Sequence, residues 1–398
     1  MKTKITIIIA LLLMGASLLS QAQIHISPSI KIAVPFLNNM PDARGASLGF
    51  SGVATSPDAF SMYYNPAKYA FMQTDHTMIA SGIDLLSQYN LNHPAFPILF
   101  NGAFAQKIGN SAIAATARYH YMGGEIDVVD EYNQSMGSYM PREFAIDVAY
   151  AYRFGDYFSV GVAGRFIHSK LIFGMVNKAT SYSIAGDISA YYKRPLCNLI
   201  DMSLGAAITN IGTKMSYNSA SVRKDFIPTT LRLGTAFKFN FHPKNTLTFN
   251  LEFSKLLVPT PPIRGYNDTI LYGRDDNVSV FRGLFQSFYD APGYSWNDNT
   301  LQYDHIGKFY EELCEINTGI GLEYNLADHF FARIGYFHKP SLKGGVNCVT
   351  QGVGMRFGIF GMDLSYSYYF HRSGFVVGSY DQTASNNTLL RWDMYFAF

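Results

Sequence analysis

Beyond His76 the chain alternates apolar and polar positions in segments of about ten to thirteen residues, the length and period of strands that cross an outer membrane. In 142–154, Phe144, Ile146, Val148, Tyr150, Tyr152 and Phe154 share one face, while Glu143, Ala145, Asp147, Ala149, Ala151 and Arg153 share the other. Successive strand side chains point to opposite faces, so one side is oily and the other small or charged. The pattern returns in Phe158, Val160, Val162 and Phe166 against Ser159, Gly161, Ala163 and Arg165. It returns again in Leu247, Phe249, Leu251 and Phe253, and in Met362, Leu364, Tyr366, Tyr368 and Phe370. This periodicity predicts fourteen strands: 76–88, 97–107, 111–122, 142–154, 157–170, 178–192, 199–210, 227–240, 245–256, 313–325, 329–338, 347–358, 361–371 and 386–398.

A half-buried soluble sheet alternates too, so connection lengths discriminate better. The even-numbered connections read as tight: Ile108-Gly109-Asn110, Gly155-Asp156, Lys193 to Leu196, Phe241 to Lys244, Asn325 to Asp328, and Ile359-Phe360. The odd-numbered ones read as longer, and one covers 257–312. Short turns at one rim and long loops at the other belong to outer-membrane barrels, with the short turns periplasmic. The expected fold is therefore all-β, a transmembrane antiparallel barrel of fourteen strands ending on Leu390, Trp392, Met394, Phe396 and Phe398 toward lipid.

The same alternation sends Glu143, Asp147, Arg153, Arg165, Asp187, Arg232, Glu252, Glu323, Arg333, Arg356, Asp363, Arg391 and Asp393 into the lumen. Fourteen strands enclose more space than their own side chains fill. Residues 23–75 precede the first strand and are the natural filling, a hatch whose Asp42, Arg44, Asp58 and Lys68 are available to the inward charges. Within it Gly45, Gly49 and Gly52 allow close backbone approach. Ser56-Pro57-Asp58 reads as the cap of a helical turn through Ala59–Met62. Pro66 pushes Asn65 out of the helical region.

Composition agrees. Only 15% of the 398 residues are charged, 48% are hydrophobic, and Tyr (28) and Phe (31) far outnumber Trp (2). A net charge of +2 without a basic run gives no footprint for nucleic acid. Lys2 and Lys4 before the apolar run Ile5–Leu13, with Ser20-Gln21-Ala22 following, read as a signal peptide over 1–22. Past it, no apolar run is long enough for a spanning helix. Cys197, Cys314 and Cys348 have no metal-site spacing, and the strand layout allows a pairing of Cys314 with Cys348.

Inside the long connection, Phe281, Leu284, Phe285 and Phe288 recur at helical spacing up to Tyr289, and Pro292-Gly293 ends the segment. A second helical piece is expected at Lys308–Leu313. Long structured loops are usually functional, so this one is either a lid on the rim or an apolar docking surface for a protein partner. Catalytic signatures are missing: the sequence has no GxSxG, HExxH, P-loop or cysteine-rich set, and calls for no metal or cofactor. His168-Ser169 is the one dipeptide that suggests half of a lipid-acyl hydrolase site.

The run GASLGFSGVATSPDAFSMYYNPAKYAF, from Gly45 to Phe71, resembles the N-terminal hatch of FadL-type barrels. It is more similar still to the start of the PorV (LptO) family of the type IX secretion system, and the FQSFYDAPG and KFYEELCEI stretches extend the likeness. The resemblance implies a non-enzymatic protein that receives cargo by its C-terminal signal domain from a SprA/Sov-like translocon. It implies delivery to a PorU-like sortase and attachment complex, where cargo is joined to lipopolysaccharide at the cell surface. A FadL-like uptake channel for hydrophobic small molecules is the alternative.

Overall fold

The computed structural model describes residues 25–72, 77–85, 98–122, 126–129, 134–173, 177–217, 224–297, 300–372 and 388–397. The expected signal peptide, its cleavage point and Phe398 lie outside them. Fourteen described strands close into one antiparallel barrel in sequence order. They are β1 (Thr77–Leu85), β2 (Ile98–Ile108), β3 (Ser111–Tyr121), β4 (Arg142–Phe154), β5 (Phe158–Phe173), β6 (Asn177–Cys197) and β7 (Ile200–Gly212). They continue as β8 (Thr230–His242), β9 (Asn245–Leu256), β10 (Ile316–Leu326), β11 (Phe330–Lys339), β12 (Val346–Phe357), β13 (Phe360–Arg372) and β14 (Thr388–Ala397). The seam joins first strand to last, from Met78 opposite Ala397 to Leu85 opposite Leu390. Closure leaves no edge strand, which alone lets a sheet stand in hydrocarbon.

The faces sort as the alternation predicts. On β4, Ile146, Val148, Tyr150 and Phe154 are exposed, while Glu143 and Asp147 have no accessible surface at all. Arg165, Asp187, Arg232, Glu252, Glu323, Arg333, Asp363, Arg391 and Asp393 are likewise buried inward, and Arg153 and Arg356 are half-buried. The exposed wall is thus apolar, and its polar groups face a filled interior.

Several boundaries differ from the sequence reading. Strand β6 runs through Pro195 to Cys197, because the proline falls at a register shift next to Ile200 and Asp201, where no ladder bond is lost. The tight turn is therefore Asn198-Leu199. The connection between β5 and β6 is also short, since both strands extend well past the predicted ends. Strand β8 starts at Thr230, because Phe226 bridges Ile32 of the N-terminal segment instead of joining the wall. Strand β10 starts at Ile316, after a helix at 308–313. All three cysteines are free thiols, Cys314 and Cys348 buried and Cys197 exposed, so the pairing is not made.

Candidate functional site

Two segments outside the wall carry the chemistry of this molecule. The first, residues 33–72, fills the barrel. Asp42 caps helix α1 (Ala43–Ser47) by accepting from the Gly45 N–H at 2.7 Å. Helix α2 (Ser61–Tyr64) begins two residues later than the sequence suggests. Asp58 is not free to cap an earlier turn, because it holds the Ser61 hydroxyl (3.2 Å) and the Arg44 guanidinium (3.1 Å). Asn65 is extended at φ −165°, and its side chain accepts from Ala67 N–H to start the turn Pro66–Phe71.

Backbone groups of this plug are satisfied by the wall, as burial requires. Glu252 accepts from the N–H groups of Gly52 (2.7 Å) and Val53 (2.8 Å), while Arg232 neutralises it at 2.9 Å. Thr350 Oγ1 accepts from Gly49 N–H and donates to Ser47 C=O, both at 3.0 Å. Asp393 accepts from Ala43 N–H, and Asn250 donates to the Ser51 hydroxyl. Arg44 makes a two-pronged contact with Glu323, each arm 2.9 Å. Arg333 joins Glu323 (2.7 Å) to Asp363 (2.6 Å), and Arg356 completes the chain at 2.6 Å.

Glycines on both sides make this approach possible. At φ +68° Gly49 takes a left-handed conformation that a side chain would strain, and a Cβ there would meet the Ile320 and Tyr336 carbonyls at 2.5 Å. Opposite it, Gly319, Gly321 and Gly335 clear the wall, and Gly352 clears Ser47. Gly45 and Gly52 instead face the Tyr64 ring.

Of the four charged hatch residues named from sequence, Arg44 alone pairs with a wall charge among the described residues, through Glu323. Asp42 serves the plug, accepting from Tyr64 O–H (2.9 Å) as well as Gly45. Burial first, then the Asp58 carboxylate, raise its pKa. Lys68 is fully buried and donates to Gly52 C=O (2.8 Å) and the Thr55 hydroxyl (3.1 Å). Sequence reasoning missed Tyr63 and Tyr64, whose rings sit under Arg232 and whose hydroxyls bond Asn38 C=O and Asp42. Below the plug, toward the tight turns, a cavity of 520 Å³ remains, lined by Arg44, Asp58, Lys193, Lys238, Arg356 and Asp393 among others.

The second segment is the long connection after β9. It folds as helix α3 (Val280–Gln286), the hairpin Tyr294–Asn297/Gln302–His305 and helix α4 (Lys308–Leu313). Ser279 caps α3 through Arg282 N–H at 3.4 Å. The buried side of α3 and the turn after it is Gly283, Gln286 and Ser287, with Phe226 and Pro259 packed where a Gly283 side chain would stand. The aromatic side faces out: Phe281 is 71% exposed, Phe285 70%, Phe288 49% and Tyr289 51%, with Leu284 half-buried. On α4, Phe309 and Tyr310 are exposed as well. An amphipathic helix normally buries its apolar stripe; here the small and polar face is buried and the stripe is presented.

The loop is anchored by buried ions. Glu315 accepts from Lys255 (2.5 Å), Lys343 (3.0 Å) and Thr260 (2.6 Å), and Glu312 from Lys255 (3.0 Å). Asp290 accepts from Thr260 N–H (3.2 Å) and Gln286 (3.4 Å). Burial, then the Glu312 and Glu315 carboxylates, push Asp290 up to about 7.

The hydrolase suggestion fails on geometry. His168 lies outward against Phe144 and Tyr182, while Ser169 points inward, is fully buried and donates to Glu143 at 2.6 Å. The two cannot form a dyad.

Comparison with known proteins comes to the same architecture. The fold is similar to that of the CymD monoaromatic hydrocarbon channel (10% identity, TM-score 0.50), over 90% of this chain and 98% of that one. The Ralstonia pickettii toluene transporter TbuX matches at 11% identity and TM-score 0.46, over 90% and 98% of the two chains. The Pseudomonas putida toluene transporter TodX matches at 11% and 0.47, over 94% and 99%. No curated protein matches the chain. Residues 22–263 match the family described as type IX secretion system protein PorV.

Proposed function

Since the chain belongs to the PorV family of type IX secretion proteins, we propose that it sits in the outer membrane as a carrier that binds secreted cargo by its C-terminal signal domain. It takes the cargo from a SprA/Sov-like translocon and passes it to a PorU-like sortase and attachment complex at the surface. Phe281, Leu284, Phe285, Phe288 and Tyr289 are the docking residues. The observation behind this is the outward aromatic face of α3 on a loop whose foot is fixed by buried ion pairs. Exposed apolar clusters of this kind mark partner sites, and a rigid mount lowers the ordering cost of binding. Residues 33–72 act as the hatch that keeps the lumen closed while cargo is handled outside.

The uptake-channel alternative finds less support. The remaining lumenal space mixes charged groups such as Arg44, Asp58, Lys238 and Arg356 with apolar ones such as Phe60, Met78 and Phe331, whereas pockets for apolar ligands carry only a few polar groups.

A deletion strain tests the reading. Signal-bearing cargo is expected to stay in the periplasm while fatty-acid uptake stays normal; unimpaired cargo secretion would sink the proposal. The double substitution Phe285→Asp with Phe288→Asp is expected to lower cargo or partner pull-down about tenfold or more, the scale of losing two aromatic anchors. Barrel insertion should not change, because both rings are exposed. Undiminished pull-down would assign the helix to lid duty.

A further inference from the structure

The docking reading leaves the stretch before the plug, residues 25–33, without a role. This tail runs along the long-loop side of the barrel, away from the tight turns. His25–Ile26 pairs antiparallel with Tyr294–Asn297, His25 opposite Asn297 and Ile26 opposite Trp296, so it forms a third strand of the loop's own sheet. The next residue, Ser27, is buried, and its hydroxyl donates to Glu311 of α4. Glu311 has no accessible surface and also accepts from Gly293 N–H (2.6 Å) and Lys343 (2.7 Å). Lys343 comes from the connection between β11 and β12 and reaches Glu315 as well. Further along, Ala33 N–H donates to Phe226 C=O at 2.8 Å, and Phe226 lies against Gly283 of α3. Phe36 and Leu37 are then fully buried, and the plug follows without a break.

We propose that the tail is a tether coupling the outer loop to the plug. The loop leaves the rim only by freeing Glu311 from Lys343, and it then draws the tail, still paired through His25–Ile26, and the plug behind it toward the long-loop mouth. The Ser27–Glu311–Lys343 junction resists that step. Its three members come from three separate segments, and removing either ion leaves the other buried and uncompensated. Coupling of this kind is reciprocal: whatever holds the loop down also steadies the plug, and a seated plug steadies the loop. A partner that binds the loop better when lifted would therefore loosen the plug from outside, without entering the lumen. The tether holds whether or not the aromatic face carries cargo.

Hydrogen exchange on the full chain in detergent micelles tests it, comparing wild type with Glu311→Gln. Amides of the hairpin 294–305 and of the plug 43–54 are expected to exchange together, each about tenfold faster or more, as one opening unit does. Amides of β4 and β5 should keep their rates. A cross-link between His25→Cys and Asn297→Cys in the Glu311→Gln background should keep the hairpin and plug rates rising together. Should Glu311→Gln fail to give a folded barrel, Ser27→Ala removes a single hydroxyl from the same junction and is read in the same way. Faster exchange of the hairpin over a plug at wild-type rates would overturn the tether, and so would unchanged rates in both.

Discussion

The plug and the outer loop both lie outside the barrel wall and are held by buried carboxylates between cations, yet they meet the solvent in opposite ways. Enclosed on all sides, the plug has only short helical turns, so much of its backbone hydrogen bonding is borrowed from Glu252, Thr350 and Asp393 on the wall. The loop completes most of its backbone pairing internally, in two helices and a hairpin, and needs the barrel only at its charged foot. Its oily side is then free to face outward. An enclosed segment is specified by its container, whereas a projecting one must specify itself.

Removing a borrowed acceptor should do the most damage. Glu252→Ala orphans two buried N–H groups and strips Arg232 of its counter-ion, a loss of about 3–5 kcal/mol by the usual cost of a broken buried pair. Denaturant titration and exchange at 43–54 should both register it. If the plug held its rates, it would be held by shape rather than by these bonds. Shape has its own test, with a smaller effect. Gly335→Val drives a side chain toward Leu48 and the Thr350 hydroxyl, at about 1–3 kcal/mol for overpacking. The control Gly164→Val, with open space around it, should stay within about 0.5 kcal/mol. Equal effects would mean that close approach to the plug is not what these glycines provide.

The remaining effect lies at the loop and depends on pH. Asp290 has its pKa raised to about 7 in the closed loop, against about 3.9 once exposed. Its stabilising contribution is complete below the lower value and is lost as pH rises through the upper one. Neighbouring charges are Glu312 and Glu315, both paired to Lys255. Exchange in the hairpin 294–305 should therefore quicken from pH 5 to pH 7.5 after correction for intrinsic rates, and level off above. Asp290→Asn should flatten the profile. A wild-type profile already flat would remove Asp290 from the loop's footing.

The wall was legible in the sequence because lipid and lumen impose opposite chemistry on alternate residues. Glu143 beside Phe144 is enough to set the facing of all of β4. Strand ends were less legible: Pro195 reads as a breaker, and only the bulge beside Asp201 shows why it is tolerated. The plug was hardest. That Glu252 accepts from Gly52 and Val53, while Asp42 turns back to cap its own helix, depends on which stretch of backbone faces which strand. Local pattern carries no trace of that. On α3 the spacing of Phe281, Phe285 and Phe288 reveals a stripe, but the direction it faces is set by Gly283 against Phe226.

The seam between β1 and β14 bears on how the molecule is assembled. The Asp84 backbone lies opposite that of Arg391 there, almost a whole chain apart. Of all the ladders in the ring, this one closes the longest loop and carries the largest entropic cost. Asp393 sits on that closing strand and accepts from Ala43 N–H. The ladder that joins the first and last wall strands thus also grips the plug, so ring closure and plug seating reinforce each other.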